Sequence, residues 1–262
     1  MVNKKLSIIT INYNNADGLK KTIESVVHQS FKDIEYIIID GGSLDGSTEI
    51  IKEYSNQINY YTSEKDDGIY NAMNKGIIKS NGEYLLFLNS GDYFVHNNII
   101  ETFIEGIEDY DLIYGDEIRF YLDGKTFQKK YPDLLSFSFL AFFGGLPHQA
   151  SLIKRSLFVE LGLYDENFKI ISDWKFFMLA IFKKQCKYLH KDLFVVYYNF
   201  EGMSSKFIEL SFNEREIFLK EEFPNFIPEK FVIENYRNNI NYYYKLLIIR
   251  ILRKLRLIKN LY

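Results

Sequence analysis

The chain of 262 residues is long enough to bury a substantial core, either as one large α/β domain with an appendage or as two small domains. Its 47% hydrophobic and 26% charged residues exclude a disordered or collagenous chain, and a formal charge of -3 goes with most of the chain lacking the basic stripe that general nucleic-acid binding needs. A single cysteine, Cys186, excludes a disulfide framework and a thiolate zinc site; with no apolar run of spanning length, the sequence predicts a cytoplasmic protein whose membrane contact, if any, is peripheral.

Residues 6–11 form a short apolar run of strand type that ends in the polar turn Asn12-Tyr13-Asn14-Asn15. Leu19, Ile23, Val26 and Val27 then recur at helical spacing. The unit repeats: a strand at 34–39, a loop from Asp40 to Ser47, and a helix at 48–54 capped by Ser47 with Glu49 in its first turn. A third unit has its strand at 58–62, an acidic turn at 64–68 and a helix at 69–80. A fourth strand at 84–88 ends in Asn89-Ser90-Gly91-Asp92 and precedes a helical stretch at 98–107, and 112–114 is a fifth strand. All four prolines lie at residue 132 or later, where the alternation stops. Residues 127–198 read as shorter strands around helices at 156–162 and 173–185, and the chain after 202 as mainly helical with a break at 223–228.

Strands alternating with helices predict an α/β fold with a mostly parallel sheet flanked by helices, and ligands of such sheets bind beyond the carboxyl ends of the strands. Asp40, Asp66, Asp67, Asp92 and Asp116 all follow apolar runs, which predicts carboxylates gathered along one sheet edge. The usual nucleotide signatures fail. Gly41-Gly42-Ser43-Leu44-Asp45-Gly46 lacks the dinucleotide spacing, and Gly124-Lys125-Thr126 has Arg119 where a P-loop requires glycine. Acidic residues at strand ends suit instead a nucleoside diphosphate held through Mn2+ or Mg2+, which bind through one or two carboxylates plus the phosphates.

Four segments carry a resemblance: Ser7-Ile8-Ile9-Thr10-Ile11-Asn12-Tyr13-Asn14, the loop from Asp40 to Ser47, Asp67-Gly68-Ile69-Tyr70-Asn71-Ala72-Met73-Asn74-Lys75-Gly76, and Leu88-Asn89-Ser90-Gly91-Asp92. In this order they resemble the family 2 glycosyltransferases of the GT-A, Rossmann-like fold, in the branch that builds bacterial surface polysaccharides. Pro147-His148-Gln149 and Ile171-Ser172-Asp173-Trp174 extend the likeness to about residue 175. The resemblance implies an inverting transfer of a sugar from a nucleotide donor, UDP-linked by analogy, to an acceptor hydroxyl of a glycan or lipid-linked glycan. By the same resemblance Thr10, Asn12, Asp40, Asp66, Asp67 and Lys75 would serve the donor nucleotide, Asp92 the metal, His148 and Trp174 the acceptor side, and Asp173 would be the general base. The usual first aspartate of the metal motif is Asn89 or Ser90 here, leaving one strong metal carboxylate.

Each residue also has a plain structural reading: Asp40 as a turn residue, Asp92 and Asp173 as caps, Lys75 on a solvated face and His148 as a packed loop histidine. Residues 1–200 are expected to form the catalytic domain, in a nucleotide-sugar half (1–116) and an acceptor-side half (117–200), followed by a helical extension (201–262). Within that extension, residues 245–262 carry six basic and no acidic residues, with Leu247, Ile248, Ile251, Leu252, Leu255 and Ile258 along one stripe. That composition suits an interfacial helix on anionic lipid or a helix docked on protein. Two rival functions follow from the same features: a sugar-phosphate nucleotidyltransferase, which should open with a Gly-rich triphosphate loop that Asn12-Tyr13-Asn14-Asn15 is not, and a catalytically inactive sugar-nucleotide-binding or membrane-assembly subunit.

Overall fold

The structure, a computed structural model, describes residues 5–121, 123–200 and 207–226, so the basic helix expected at 245–262 lies outside the described residues. β1 (Leu6–Asn12) is buried almost throughout, as a strand covered on both faces requires. The Asn15 side chain accepts the Gly18 amide hydrogen at 3.3 Å and opens α1 (Ala16–Val27), which buries the stripe Leu19, Thr22, Ile23 and Val26. β2 (Ile34–Asp40) lies parallel to β1, and β3 (Tyr60–Ser63) parallel to β2. The chain then returns to place β4 (Tyr84–Phe87) parallel to the other side of β1.

The first crossover helix, α2 (Ser47–Glu53), starts differently from the expectation that Ser47 caps it. Ser47 is its first residue, Gly46 at φ 94° holds the cap position, and Asp45 Oδ1 accepts both the Ser47 amide (3.2 Å) and hydroxyl (2.6 Å). The second crossover helix, α3 (Ile69–Lys79), lies so close to β1 that a Cβ at Gly76 would come within 2.4 Å of Ile9 Cγ2. Beyond β4 come β5 (Tyr93–Phe94), a short α4 (Ile99–Phe103), β6 (Leu112–Phe120) and β7 (Thr126–Lys129). These are followed by β8 (Ser151–Lys154), α5 (Arg155–Leu161), α6 (Ser172–Met178), β9 (Tyr188–Asn199) and α7 (Ile208–Glu222). A π-helical turn, Leu179–Lys183, continues α6 across most of the expected helix.

Among the described residues nine strands form one sheet in the order β3-β2-β1-β4-β8-β6-β9-β5, with β7 paired to β6. Its first four strands are parallel; β8 is antiparallel to both neighbours, and β6 pairs parallel with β9. Since β8 reverses direction between β4 and β6, β4 and β6 point the same way. Their carboxyl ends therefore share an edge with those of β1, β2, β3 and β9, and β8 brings its amino end there. One face of the sheet buries Leu6, Ile8, Tyr36, Ile38 and Leu86 against Leu19 and Ile23 of α1 and Phe103 of α4.

By its contacts the chain divides into residues 1–215 and 216–262, and the boundary falls within α7. In the second unit the described residues are 216–226, where the Phe218 and Phe223 rings meet edge-on at 5.8 Å. Among the described residues no helix is long and apolar enough to cross a membrane.

Candidate active site

The shared carboxyl edge carries the polar residues of the first four strands. At the end of β2 the buried Asp40 carboxylate is fully engaged: Oδ1 accepts Asn12 Nδ2 (2.7 Å) and Ser43 Oγ (2.6 Å), and Oδ2 accepts Ser63 Oγ (2.6 Å) and the Ser43 amide (3.0 Å). Burial alone would raise its pKa, but the bonds from Ser43, Ser63 and Asn12 outweigh it and hold the group below the ordinary carboxylate range. Beside it Asp66 accepts Lys75 Nζ at 2.6 Å and lies against Gly41, where an added Cβ would meet its Oδ2 at 3.1 Å and the Tyr13 ring at 3.2 Å. Lys75 also pairs with Glu64 at 2.9 Å; the bond to Asp66 in the first place, then that to Glu64, raises its pKa. The exposed Tyr13 ring and these carboxylates border an open surface, and Asp67 is exposed next to them. Thr10 does not reach that surface: its hydroxyl donates to Leu88 O at 2.8 Å and meets Tyr36 Oη at 3.1 Å, beneath the site.

After β4 the chain turns back on itself, the Asp92 amide bonding to Asn89 O at 2.9 Å with Gly91 at φ 102°. Asp92 is only 4% exposed, and its Oδ1 accepts the Asn199 amide of β9 at 2.9 Å. Burial pushes its pKa up to about 7 against that bond and the nearby His148. Asn89 Oδ1, in the same turn, is buried without a hydrogen-bond partner. An unsatisfied amide oxygen and a buried carboxylate in one tight turn are hard oxygen donors that fit Mn2+ or Mg2+, provided phosphates complete the shell. Among the described residues no three His, Cys, Asp or Glu side chains form a self-sufficient metal cluster.

Asp173 lies in the first turn of α6, where the helix start favours a carboxylate. Its Oδ1 accepts the Tyr70 hydroxyl at 2.8 Å, and its Oδ2 accepts His148 Nδ1–H at 2.9 Å. His148 Nε2 in turn meets Asn89 Nδ2 at 3.1 Å, so the Asn89–His148–Asp173 chain links the β4 turn to α6. With Nδ1 protonated toward Asp173, the neutral ring accepts from the Asn89 amide; turning that amide over would let its oxygen accept from an imidazolium. Burial opposes charge on Asp173, but the bonds from His148 and Tyr70 outweigh it and keep its pKa below the ordinary value. Burial likewise opposes charge on His148, and the carboxylate beside it raises its pKa nonetheless.

On β6 the side facing this network belongs to Glu117, not Asp116. Glu117 accepts Arg119 Nε (2.7 Å), the Tyr131 hydroxyl (3.1 Å) and Gln149 Nε2 (2.8 Å). Asp116 departs from the expected edge cluster because β6 runs on to Phe120, past a bulge on β9, and alternation turns it away. It is fully buried, bonded to His190 Nε2 (3.0 Å) and the Tyr131 amide (2.9 Å). Trp174 is buried too, its indole N–H donating to Leu140 O at 2.8 Å beneath the Arg215 guanidinium, 4.6 Å above the ring. The structure thus joins Asp173, His148 and the Asp92 turn in one constellation, with Asp40, Asn12, Asp66 and Lys75 along the same edge. Tyr70, Asn89 and Gln149 complete it; all three stand inside segments whose wording carried the family likeness, which was the available signal for them. A separate cleft of about 360 Å3, lined by Lys5, Asp33, Asn81, Glu83, Lys154, Arg155 and Ser156, lies at the opposite edge and touches none of these groups.

Residues 7–162 match the model of glycosyl transferase family 2. An uncharacterised glycosyltransferase of Mycobacterium tuberculosis is 34% identical over 179 residues, 67% of this chain and 68% of that protein. A PGL/p-HBAD biosynthesis glycosyltransferase of Mycobacterium bovis is 27% identical over 216 residues, 80% of this chain and 82% of that protein. Among solved structures, residues 1–349 of S. aureus TarS in complex with UDP-GlcNAc superpose with a TM-score of 0.64 at 18% identity, covering 82% of this chain and 66% of that one. The match spans 42% of a longer TarS chain.

Proposed function

Since the chain belongs to glycosyl transferase family 2, we propose that it moves a sugar from a nucleoside-diphosphate donor, UDP-linked, to an acceptor hydroxyl in one inverting displacement with Asp173 as general base. The observation that carries this reading is the double clamp on Asp173, whose carboxylate is held by Tyr70 and His148 at the sheet edge that also carries Asp40 and Asp92. A carboxylate kept ionised and fixed in direction can take a proton from a hydroxyl that attacks the anomeric carbon. The acceptor oxygen forms the new bond to that carbon, the bond to the diphosphate breaks with its electrons leaving on the diphosphate, and the hydroxyl proton passes to Asp173.

The nucleoside belongs beside Asp40, Asp66 and Tyr13, where Lys75 fixes Asp66 and Asn12 fixes Asp40. Thr10 supports this wall from beneath. Asp92, with Asn89 Oδ1, would hold Mn2+ or Mg2+, which supplies positive charge for the departing diphosphate. His148 orients the base and borders the acceptor, while Trp174 shapes that side from below. We assign catalysis to residues 1–200 and place the acceptor, a glycan or lipid-linked glycan of a surface polysaccharide, at the cytoplasmic membrane face. The basic segment 245–262 would supply the peripheral contact. That part of the reading fails if deleting 245–262 leaves binding to anionic vesicles unchanged.

The donor is tested by a thermal-shift panel of UDP, GDP, TDP and CDP, each with manganese, magnesium or chelator, because a ligand that binds only the folded state raises the melting temperature. A metal-dependent shift with UDP is expected. A folded protein that responds to none of the four would contradict the donor assignment.

A further inference from the structure

Two cations converge on the Gly144-Gly145 step. Lys129 Nζ, at the end of β7, lies 3.8 Å from where a Cβ of Gly144 would stand, and an Arg215 terminal nitrogen lies 3.9 Å from the corresponding point at Gly145. Neither has an ion pair among the described residues. The carboxylate nearest by chemistry, Glu117, is already engaged by Arg119, Tyr131 and Gln149. Both cations stand over aromatic rings, Lys129 4.6 Å over Tyr131 and Arg215 4.6 Å over Trp174, with the charge of Glu117 acting on the first and that of Asp173 on the second. Arg215 Nε is buried without a partner. Burial, and then the charge of Arg119, push the Lys129 pKa down to about 8 against the nearby Glu117, with Arg215 adding to the shift.

We infer that Lys129 and Arg215, around the side-chain-free Gly144-Gly145 step, form a subsite for a phosphate group carried by the acceptor. A forked guanidinium with an ammonium beside it is a phosphate-binding pair, and two glycines let the ligand approach the backbone. Since β9 pairs along one whole edge of β6, β7 pairs with the other edge and continues the line of β8 beyond its amino end, which places Lys129 on the same side of β6 as the β4 turn that carries Asp92. Competition with UDP therefore distinguishes a phosphate of the acceptor from the donor's diphosphate. The inference rests on the reading of Asp173 as the base facing the acceptor, since Trp174 under Arg215 is the next residue in the chain.

The test titrates the full-length protein, saturated with UDP and Mn2+, with glucose 6-phosphate as a phosphate probe and with glucose as its neutral counterpart. The expected result is saturable binding of glucose 6-phosphate and none of glucose, weakened at least tenfold in the Lys129→Gln/Arg215→Gln double variant while UDP affinity stays unchanged. The single variants, each expected to show an intermediate loss, serve if the double variant does not fold. Competition between glucose 6-phosphate and UDP would assign the cations to the donor and overturn the inference. So would equal affinity in wild type and variants, or no binding of the probe to the folded protein. Failure of UDP itself to bind would strike at the donor reading, and the same titration without UDP then still decides the subsite.

Discussion

Replacing Asp92 by asparagine should stabilise the free protein while disabling it. Asparagine keeps the shape and the oxygen that accepts the Asn199 amide at 2.9 Å, and removes only the charge. In the folded chain burial raises the Asp92 pKa from an ordinary 3.8 to about 7. The folded state therefore holds a proton that the unfolded state releases, and between these two values stability falls as pH rises. At ~1.4 kcal/mol for each tenfold change in proton affinity, the ionised form costs at most ~4 kcal/mol once the pH passes 7. Asp92→Asn, measured by urea denaturation in chelator at pH 8, should recover a large part of that, with a rise in Tm on the order of 10 °C for a chain of this size. At pH 5.5 the gain should shrink to about half, since much of the wild-type population is then protonated. Adding Mn2+ and UDP at pH 8 should stabilise wild type and leave the variant unmoved. A variant less stable than wild type at pH 8, or a gain independent of pH, would refute the reasoning that this carboxylate is stored at a cost for use by a ligand.

Tyr70→Phe removes one of the two donors to Asp173 and leaves the ring packing in place, so kcat should fall about tenfold to a hundredfold, as expected for a lost bond to a charged group. Because that bond favours the ionised carboxylate, the acid limb of the pH–rate profile should move to higher pH, read from kcat against pH. His148→Gln should flatten the pH dependence of stability. The raised His148 pKa contributes stability that is fully present below the ordinary 6.5 and is lost as pH rises through the higher folded value. Asp173, with its lowered pKa, contributes stability present above the ordinary 3.8 and lost as pH falls through its folded value, and denaturant midpoints of both proteins between pH 3 and 9 check both limbs.

The first half of the sheet was legible because it obeys local rules. Apolar runs of strand length alternate with helical stripes, and each run ends in a polar turn, so Asp40, Asp92 and Asp173 could be placed at element ends from spacing and wording alone. What lay hidden depends on partners distant in the chain. Tyr70 and His148 meet on Asp173 across 103 and 25 residues, and no local pattern announces that contact. The extent of β6 is set by β9, β7 and β8 pairing along it, which carries the strand past Asp116 and hands the site-facing position to Glu117 by a shift of one residue. Motif position points to Thr10 and Trp174, whereas burial decides what they can touch. Arg215 gave no signal at all, since a single arginine in a charged helix looks like any solvated residue until the Trp174 ring is found beneath it.

The assignment of Asp173 as the base of a nucleotide-sugar transfer is tested most directly by Asp173→Asn, with sugar transfer and UDP binding measured on the same preparation. The account predicts a kcat reduced by about a hundredfold to ten-thousandfold with UDP affinity retained, the range by which a positioned base accelerates proton transfer. Transfer at the wild-type rate, or a loss of UDP binding in step with the loss of transfer, would contradict it.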